Sequence, residues 1–280
     1  MRRKFLGIGW ALLVAMPLLL LSCGDDNGNG GTGPENGGEE TAPPDLAQIE
    51  TPQTIDFQSE DQTATFAQAM VQSQLALTQA LTAAGGGYMA ALQGANWGDE
   101  SSGCWSWSFT DESCTVTYTA CETAEGFEWV FTVNGNCDGE VFTNWVAGRG
   151  TTNADGTEGT FRWFEEQTTN TVGVWTWVVA TDRMSGTWYF YEGDLASENL
   201  RATLEWTKNA DGSVDMTWTF IGEGKTEFHI DADGLSGWMK SYELDEATQT
   251  FIMTAWISWD HGTGFWRMYE DGVLVNEQLW

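Results

Sequence analysis

The feature that most constrains the fold of this chain is a recurrent alternation of large apolar and small polar side chains from residue 104 onwards. The apolar positions of two such runs are Phe127, Trp129, Phe131 and Val133, and Met216, Trp218 and Phe220. Successive side chains of a β-strand point to opposite faces, so a period of two places each set on one side of a strand. The alternation therefore predicts a sheet with an apolar face.

Short turn sequences separate these runs. They are Asn134-Gly135, Asp155-Gly156, Asp211-Gly212, Asp233-Gly234, His261-Gly262 and Asp271-Gly272. Asx-Gly pairs favour the tight turns that join antiparallel neighbours, so the sequence predicts a mainly β fold, an antiparallel meander of about a dozen strands. No helical segments alternate with the strands, which argues against a parallel sheet. So many strands must curl or divide, which leaves a curved sheet, a half-barrel or a sandwich.

One amphipathic helix is predicted ahead of the sheet. Ser59 and Gln62 have the spacing of a capping box, and apolar residues then recur at helical intervals. We expect the helix to run from about Glu60 to Ala84 and to end at the triple glycine of residues 85–87. With its connector it occupies residues 56–95 and packs on a β domain of residues 96–280.

The N-terminus carries the features of an export signal. Three cationic residues precede an uncharged apolar run, Phe5–Leu21, that is too short for a membrane span. The run ends in Leu20-Leu21-Ser22-Cys23, which resembles the lipobox of bacterial lipoproteins. That resemblance implies cleavage of residues 1–22, acylation of Cys23 and anchoring of the protein to a membrane through its lipid.

The residues after the lipobox indicate a location and a tether. Lipoproteins with Asp directly after the Cys stay at the inner membrane, whereas this chain has Gly24, so the resemblance implies the outer membrane, on its periplasmic or cell-surface face. Residues 23–55 are acidic, rich in Gly and Pro, and poor in large apolar side chains. Such a segment is predicted to be a disordered tether, with a reach of roughly 30 Å.

The charge of the chain excludes one class of partner. Forty-one acidic residues face eight Lys and Arg residues beyond the signal, so the processed chain has a net charge of about −33. Phosphate backbones repel such a chain, and nucleic-acid binding is therefore excluded. The acidic residues are spread along the sequence, which is typical of a charged, soluble surface.

Four cysteines remain after Cys23, and their spacing predicts two disulfides in an exported chain. Pairing the first predicted strand with the second places Cys104 near Cys121. Pairing the second with the third places Cys114 near Cys137. Both bridges fit one three-strand register, so we predict Cys104–Cys121 and Cys114–Cys137.

No catalytic constellation can be identified, and the sequence predicts a protein that is not an enzyme. His229 lies on the polar side of a predicted strand and His261 lies in a turn, and neither has a neighbouring nucleophile. Glu165 and Glu166 are adjacent and therefore point to opposite faces of a strand, which prevents joint work on one bond.

No cofactor or metal is predicted, apart from a candidate structural calcium at turn carboxylates. Residues 134–139 and 231–234 place oxygen side chains at alternate positions, as calcium loops do. The first segment lacks the bidentate Glu of such a loop, because Trp145 occupies that position. Both segments are therefore interpreted first as hairpin turns.

Tryptophan is the most unusual component of the chain, with 17 residues, and some strands carry large apolar groups on both faces. In one strand Trp175 and Trp177 oppose two valines. In another, Trp256 opposes Trp259, with Phe251 and Met253 expected on the side of Trp259. A core explains most of these rings, and the helix, a partner or a ligand must cover the rest. The candidate ligand-binding residues are Trp175, Trp177, Trp256 and Trp259.

One helix followed by a long antiparallel meander resembles, in architecture alone, the lipid-binding half-barrels of the LolA/LolB type. This resemblance implies a non-catalytic binding module with a lipid or other apolar ligand in an aromatic concavity. Two alternatives stay open: a surface glycan-binding protein that uses Trp platforms, and a structural envelope lipoprotein that binds other envelope proteins.

Overall fold

A computed structural model describes residues 55–93, 101–111, 113–137, 139–193, 195 and 199–280. The predicted signal, Cys23 and the tether up to residue 54 lie outside these residues. One helix, α1, spans Gln62–Gln93. Fourteen strands follow it: β1 Cys104–Asp111, β2 Cys114–Thr123, β3 Gly126–Cys137, β4 Glu140–Asn153, β5 Glu158–Phe164, β6 Thr171–Ala180, β7 Arg183–Tyr191, β8 Leu200–Asn209, β9 Val214–Phe220, β10 Gly224–Ile230, β11 Ser236–Asp245, β12 Thr250–Asp260, β13 Thr263–Glu270 and β14 Val273–Leu279.

All fourteen strands form one antiparallel meander, as the alternation and turns predicted. Each strand pairs with the next along the chain, in the order β1 to β14 without a crossover. The first and last strands are the two edges of the sheet and do not pair with each other. Because there is a single sheet, the two-layer sandwich is excluded.

The apolar side chains collect on one side, here called the inner face, which packs against α1 and the segment before it. On α1 the buried contacts come from Ala64, Ala67, Val71 and Leu75. The predicted apolar sets of β3 and β9 lie on this face and are mostly buried. The opposite side is called the outer face. It carries the alternate residues of each strand.

Glycines facing large rings explain how so many indoles fit on the inner face. Gly159 pairs directly with Trp177, and a Cβ on Gly159 would lie 2.2 Å from that indole. Gly237 pairs with Trp259 in the same way, and a Cβ on Gly264 would lie 2.3 Å from the indole of Trp280. At these positions the missing side chain leaves room for a ring to lie across the neighbouring strand.

The segment before α1 belongs to the folded domain. Ile55, the last residue of the predicted tether, is buried, so that boundary was placed slightly too late. Its carbonyl accepts hydrogen bonds from the side-chain amides of Gln68 and Gln72. Phe57 stacks on Trp259 at 4.8 Å and on a second ring, that of Trp280, at 5.6 Å. The segment of residues 55–61 therefore covers the end of the core near β12.

Both predicted ends of the helix were wrong. Asp61, not Ser59, is the N-cap, because its carboxylate accepts the amide N–H of Thr63 at 2.7 Å. The helix also continues through the triple glycine at residues 85–87. A helix interior tolerates glycine at a cost of about 1 kcal/mol per residue, and the residues that follow are strong helix formers.

Five of the six predicted turns join consecutive strands, and the sixth is wrong. Asn134-Gly135 lies inside β3, which ends at Cys137, and β4 begins at Glu140. The Asn134 amide oxygen accepts the N–H of Asn144 on β4. Asn134-Gly135 therefore belongs to the irregular pairing of β3 with β4 rather than to a turn.

The structure contains the two disulfides in the predicted pairing, Cys104–Cys121 and Cys114–Cys137. In the β1–β2 register Cys104 lies directly opposite Cys121. Two disulfides indicate an oxidising setting, either extracellular or periplasmic.

Within the described part of the chain, no helix combines the length and the apolar character that crossing a bilayer requires.

Candidate functional site

Three of the four predicted ligand-binding tryptophans lie in the packed inner face. Trp175 and Trp177 stack on each other at 4.3 Å, and Trp259 stacks on Phe57. All three side chains are almost fully buried. Trp175 and Trp177 belong to a run of stacked rings that continues through Trp188 and Phe190. Within the described residues, these three indoles are therefore part of the hydrophobic core.

Several inner-face indoles nevertheless keep their polar atom without an acceptor. Trp129, Trp177 and Trp218 donate their N–H groups to Thr152, Gly156 and Thr78. In the described part of the chain, buried indole N–H groups of this face lack any hydrogen-bond partner at Trp175, Trp188, Trp206, Trp259, Trp266 and Trp280. Unpaired buried donors are costly, so this face could accommodate acceptor atoms of a ligand or of water.

The fourth predicted residue, Trp256, lies on the outer face, and its expected surroundings were wrong. The β11–β12 register shifts between Ser241 and Tyr242, which pairs with Met253 and leaves Thr254 as an extra residue. Such a bulge reverses the alternation on one side of it. Phe251 and Met253 consequently share the face of Trp256 instead of opposing it.

This bulge adds Phe251 to a mixed patch on β10–β13 that we call the aromatic–cationic face. It consists of Lys225, Trp238, Lys240, Tyr242, Phe251, Trp256, Phe265 and Arg267. Lys240 Nζ lies 4.5 Å from the ring centre of Trp238 and 5.0 Å from that of Trp256. The Arg267 guanidinium lies 5.4 Å from the Trp256 ring and 4.2 Å from the Phe265 ring. Each cation thus sits against aromatic faces that attract positive charge.

The third cation, Lys225, joins a polar group at one side of this face. It lies over the rings of Tyr242 and Phe251 and hydrogen-bonds to Glu227. Tyr242 donates its hydroxyl to Glu227 at 3.0 Å, and burial together with that carboxylate raises the pKa of Tyr242 to about 12. Burial would raise the pKa of Glu227, but hydrogen bonds from Lys225 and Tyr242 and the charge of Lys240 lower it overall. Glu227 is therefore ionised and holds the group together.

Charge on this face does not cancel. Arg267 makes an ion pair with Glu277 at 2.7 Å, and Lys225 with Glu227. Three cations thus meet two carboxylates. The three are a large share of the eight Lys and Arg residues beyond the signal of a chain with 41 acids. The side chains are half-buried, with Phe251 exposed, so a ligand can reach the face.

The rest of the outer face is different in character. One row of directly paired residues crosses the sheet from β4 to β14: Thr151, Thr160, Thr176, Thr187, Glu205, Thr217, Glu227, Lys240, Trp256, Arg267 and Glu277. The row is threonine from β4 to β7 and on β9, carries Glu205 on β8, and contains cations and aromatic rings only from β11 onwards. The neighbouring row also carries Arg149, Arg162 and Tyr189 on β4, β5 and β7. The close cation–ring contacts described above lie on β10–β13.

Sequence reasoning missed this face, although a signal was present. Trp238, Lys240 and Tyr242 alternate with other residues, as do Phe265 and Arg267, and a period of two puts a cation and its rings on one side of a strand. The adjacency of β11, β12 and β13 could also be expected of a meander. The bulge that turns Phe251 to this side has no marker in the sequence.

Both histidines lie among carboxylates near the β8–β9, β10–β11 and β12–β13 turns. His229 contacts Asp215 at 2.7 Å and Asp231 at 3.2 Å. Burial would lower the pKa of His229, but these two carboxylates outweigh it and raise the pKa. The hydrogen bond to Asp260 raises the pKa of the fully exposed His261. These contacts favour the protonated form of both imidazoles and link the side chains of neighbouring turns.

The described residues contain no group of three or more His, Cys, Asp or Glu side chains that could hold a metal ion. At the candidate calcium turns, Asp231 contacts His229, and Asp233 accepts the N–H of Leu235. The Asn136 side chain accepts the N–H of Gly139. These oxygens are engaged in local hydrogen bonds. Residues 231–234 lie between β10 and β11, as expected of a turn, whereas residues 134–137 lie within β3.

No protein-family model matches the chain, and no curated protein is similar enough to count as a match.

Proposed function

We propose that this protein is a non-catalytic binding module, tethered to the outer membrane through Cys23, that holds an acidic glycan on the aromatic–cationic face. The observation that carries the proposal is the interleaving of Lys225, Lys240 and Arg267 with five aromatic rings on four neighbouring strands. Elsewhere on the described outer face, the long row that crosses the sheet is mainly threonine.

The chemistry of this face suits sugars that carry carboxylate or sulfate groups. Aromatic side chains pack against the apolar C–H faces of sugar rings. Lysine and arginine donate charge-assisted hydrogen bonds to anionic groups, and arginine can do so with two parallel bonds. Four strands span about 14 Å, so the face is long enough for an extended chain rather than a single small ion.

The overall negative charge restricts binding to this face instead of preventing it. At physiological ionic strength the Debye length is about 8 Å, so distant carboxylates are largely screened. Acidic surface elsewhere repels an anionic polymer and leaves the cationic patch as the place of contact. On the inner face, by contrast, Trp175, Trp177 and Trp259 are almost fully buried among other rings, so a ligand there would have to enter between packed side chains.

Affinity electrophoresis with polygalacturonate, heparin and dextran in the gel tests the proposal. We expect polygalacturonate or heparin to retard the protein, and neutral dextran to leave its mobility unchanged. The first two polymers separate carboxylate from sulfate recognition. Lys240→Ala should weaken binding by at least about fivefold, which corresponds to about 1 kcal/mol, and Lys240→Arg should retain most of it.

Arg183→Ala is the matched control, because it removes one exposed positive charge of the outer face far from the rings. It should leave retardation unchanged. Equal retardation by dextran and by the acidic polymers would contradict the proposal, and so would equal losses in Lys240→Ala and Arg183→Ala.

The unpaired indole N–H groups of the inner face favour a second candidate, an apolar ligand that carries hydrogen-bond acceptors. Native mass spectrometry of residues 24–280, exported behind an ordinary cleavable signal, tests it, because a bound lipid would appear as an adduct that is lost on mild activation. An adduct-free mass of the folded protein counts against this candidate and leaves the glycan proposal untouched.

A further inference from the structure

Two arginines lie side by side on the outer face of β4 and β5, away from the aromatic–cationic face. Arg149 pairs directly with Arg162 in the register of these strands, and both side chains are exposed. Within the part of the chain that the structure describes, neither guanidinium has an ion-pair or hydrogen-bond partner, although the chain contains 41 acidic residues. Like charges directly opposite each other destabilise a sheet, so this pair is unfavourable for the fold by itself.

Two tyrosines complete this group, which we call the arginine–tyrosine patch: Arg149, Arg162, Tyr189 and Tyr191. Arg162 pairs with Val174, and Val174 pairs with Tyr189 on the next strand. Burial and the neighbouring Tyr189 raise the pKa of Tyr191, while the charge of Arg162 opposes them, as expected of groups that lie close together. Val174 is only 8% exposed on this face, because the longer side chains around it cover it.

The chemistry of the patch is that of a set of donors without an acceptor. Each guanidinium presents a planar fork of N–H groups that fits a carboxylate or a sulfate. Tyr191 stays protonated at neutral pH, because its pKa is raised, and its hydroxyl can donate as well. An anionic group with several oxygen atoms is therefore the ligand that this patch suits.

One row of directly paired outer-face residues joins the patch to the aromatic–cationic face. From β5 to β10 the row consists of Arg162, Val174, Tyr189, Thr203, Thr219 and Lys225. Five strand spacings separate its two cations, which is about 24 Å along the sheet. No acidic residue stands between these cations in the row, whereas the adjoining row carries Glu205 on β8.

We propose that the arginine–tyrosine patch is a second anion subsite, and that one acidic glycan chain lies across the strands from Lys225 to Arg162 and occupies both patches. This inference rests on the proposed function, because the aromatic–cationic face is its first subsite. Arg149, Arg162 and the three cations of that face are five of the eight Lys and Arg residues beyond the signal. Most of the positive charge of the chain then contacts one polyanion.

The dependence of affinity on chain length identifies this arrangement. A glycan that reaches both patches binds the second one intramolecularly, at an effective concentration far above that of the free ligand. An oligosaccharide shorter than the distance between the patches contacts only one of them. We therefore expect the longer chain to bind at least about tenfold more tightly.

Isothermal titration calorimetry of residues 24–280, exported behind an ordinary cleavable signal, tests the inference. The probes are a tetrasaccharide and a hexadecasaccharide of two series, oligogalacturonate and heparin. Arg149→Ala combined with Arg162→Ala should weaken binding of the hexadecasaccharide at least about fivefold, and should leave binding of the tetrasaccharide to the aromatic–cationic face nearly unchanged. Arg149→Lys combined with Arg162→Lys keeps both charges and should recover part of the loss.

Arg183→Ala combined with Lys208→Ala is the matched control, because it removes two cations from the other end of β7 and β8. It should preserve the affinity for both lengths, and near-ultraviolet circular dichroism verifies that each variant is folded. Equal losses in the control and in the arginine variant would overturn the inference, since total charge alone would then determine binding.

Lys240→Ala tests the proposed function separately, and it should weaken binding of both lengths. If it does so while the arginine variant binds the hexadecasaccharide as tightly as the unmodified protein, the second subsite is overturned and the proposed function stands. If Lys240→Ala has no effect, or if the unmodified protein binds neither series, both proposals are contradicted.

Discussion

At the scale of single residues, His229 carries the clearest electrostatic consequence of the structure. Its ring nitrogens reach Asp215 on β9, directly opposite in the register, and Asp231 at the end of its own strand. Both carboxylates favour the protonated imidazole, and they outweigh the burial that opposes it. The folded chain therefore binds this proton more tightly than the unfolded chain does.

The sign of the resulting pH dependence follows from linkage. A group with a raised folded pKa contributes stability that is complete below its unfolded pKa, near 6.5 for histidine, and is lost as the pH rises through the folded value. We expect the free energy of unfolding to fall by about 1 kcal/mol between pH 6 and pH 8.5. Carboxylates of ordinary pKa stay ionised throughout this interval and add little to the slope.

Urea unfolding at four pH values, followed by tryptophan fluorescence, measures this slope. His229→Gln should flatten it, because a glutamine keeps hydrogen-bonding capacity but does not titrate. His261→Gln should flatten it less, because that ring is more exposed. An unchanged slope in His229→Gln would show that the proton is bound elsewhere.

At the scale of elements, the sequence predicted what depends on side-chain period and turn chemistry. The strands, the antiparallel order, five of six turns and the cysteine register all follow from patterns a few residues long. The errors fall where backbone geometry overrides such patterns. The bulge at Thr254 turns Phe251 onto the face of Trp256, and Asn134-Gly135 is absorbed into β3. The composition of the aromatic–cationic face depends on that bulge, so it could be predicted only in part.

The pairing of β5 with β6 provides a prediction about glycine as a spacer. A Cβ on Gly159 would lie 2.2 Å from the Trp177 indole. The N–H of that indole donates a hydrogen bond to the carbonyl oxygen of Gly156. Because that ring is buried and held, Gly159→Ala should lower the free energy of unfolding by about 1–3 kcal/mol. Gly173, on β6, would bring its Cβ no closer than 3.8 Å to any atom, so Gly173→Ala should change stability by less than about 0.5 kcal/mol.

Denaturant unfolding of the two alanine variants in the oxidised protein makes this comparison. Equal stability of both variants would mean that the Trp177 ring shifts freely, and that glycine serves another purpose at position 159.

At the scale of the whole molecule, two opposing terms shape the protein. Stacked rings and two disulfides hold fourteen strands in one open sheet, while a net charge of −30 pushes its parts and its copies away from one another. Few cations offset this repulsion, and those of β10–β13 are gathered against aromatic rings instead of being spread among the acids. This repulsion makes stability depend on the surrounding salt.

Salt should therefore stabilise the folded protein. Folding compresses the negative charges, so screening lowers the free energy of the folded state more than that of the expanded unfolded chain. We expect the melting temperature to rise by several degrees between 0.01 and 0.5 M NaCl, which corresponds to about 1–3 kcal/mol for a chain of this size. Measurements at two protein concentrations separate this effect from association between copies, because the rise should be the same at both. A melting temperature that falls with salt would mean that ion pairs such as Arg267–Glu277 contribute more than the repulsion does.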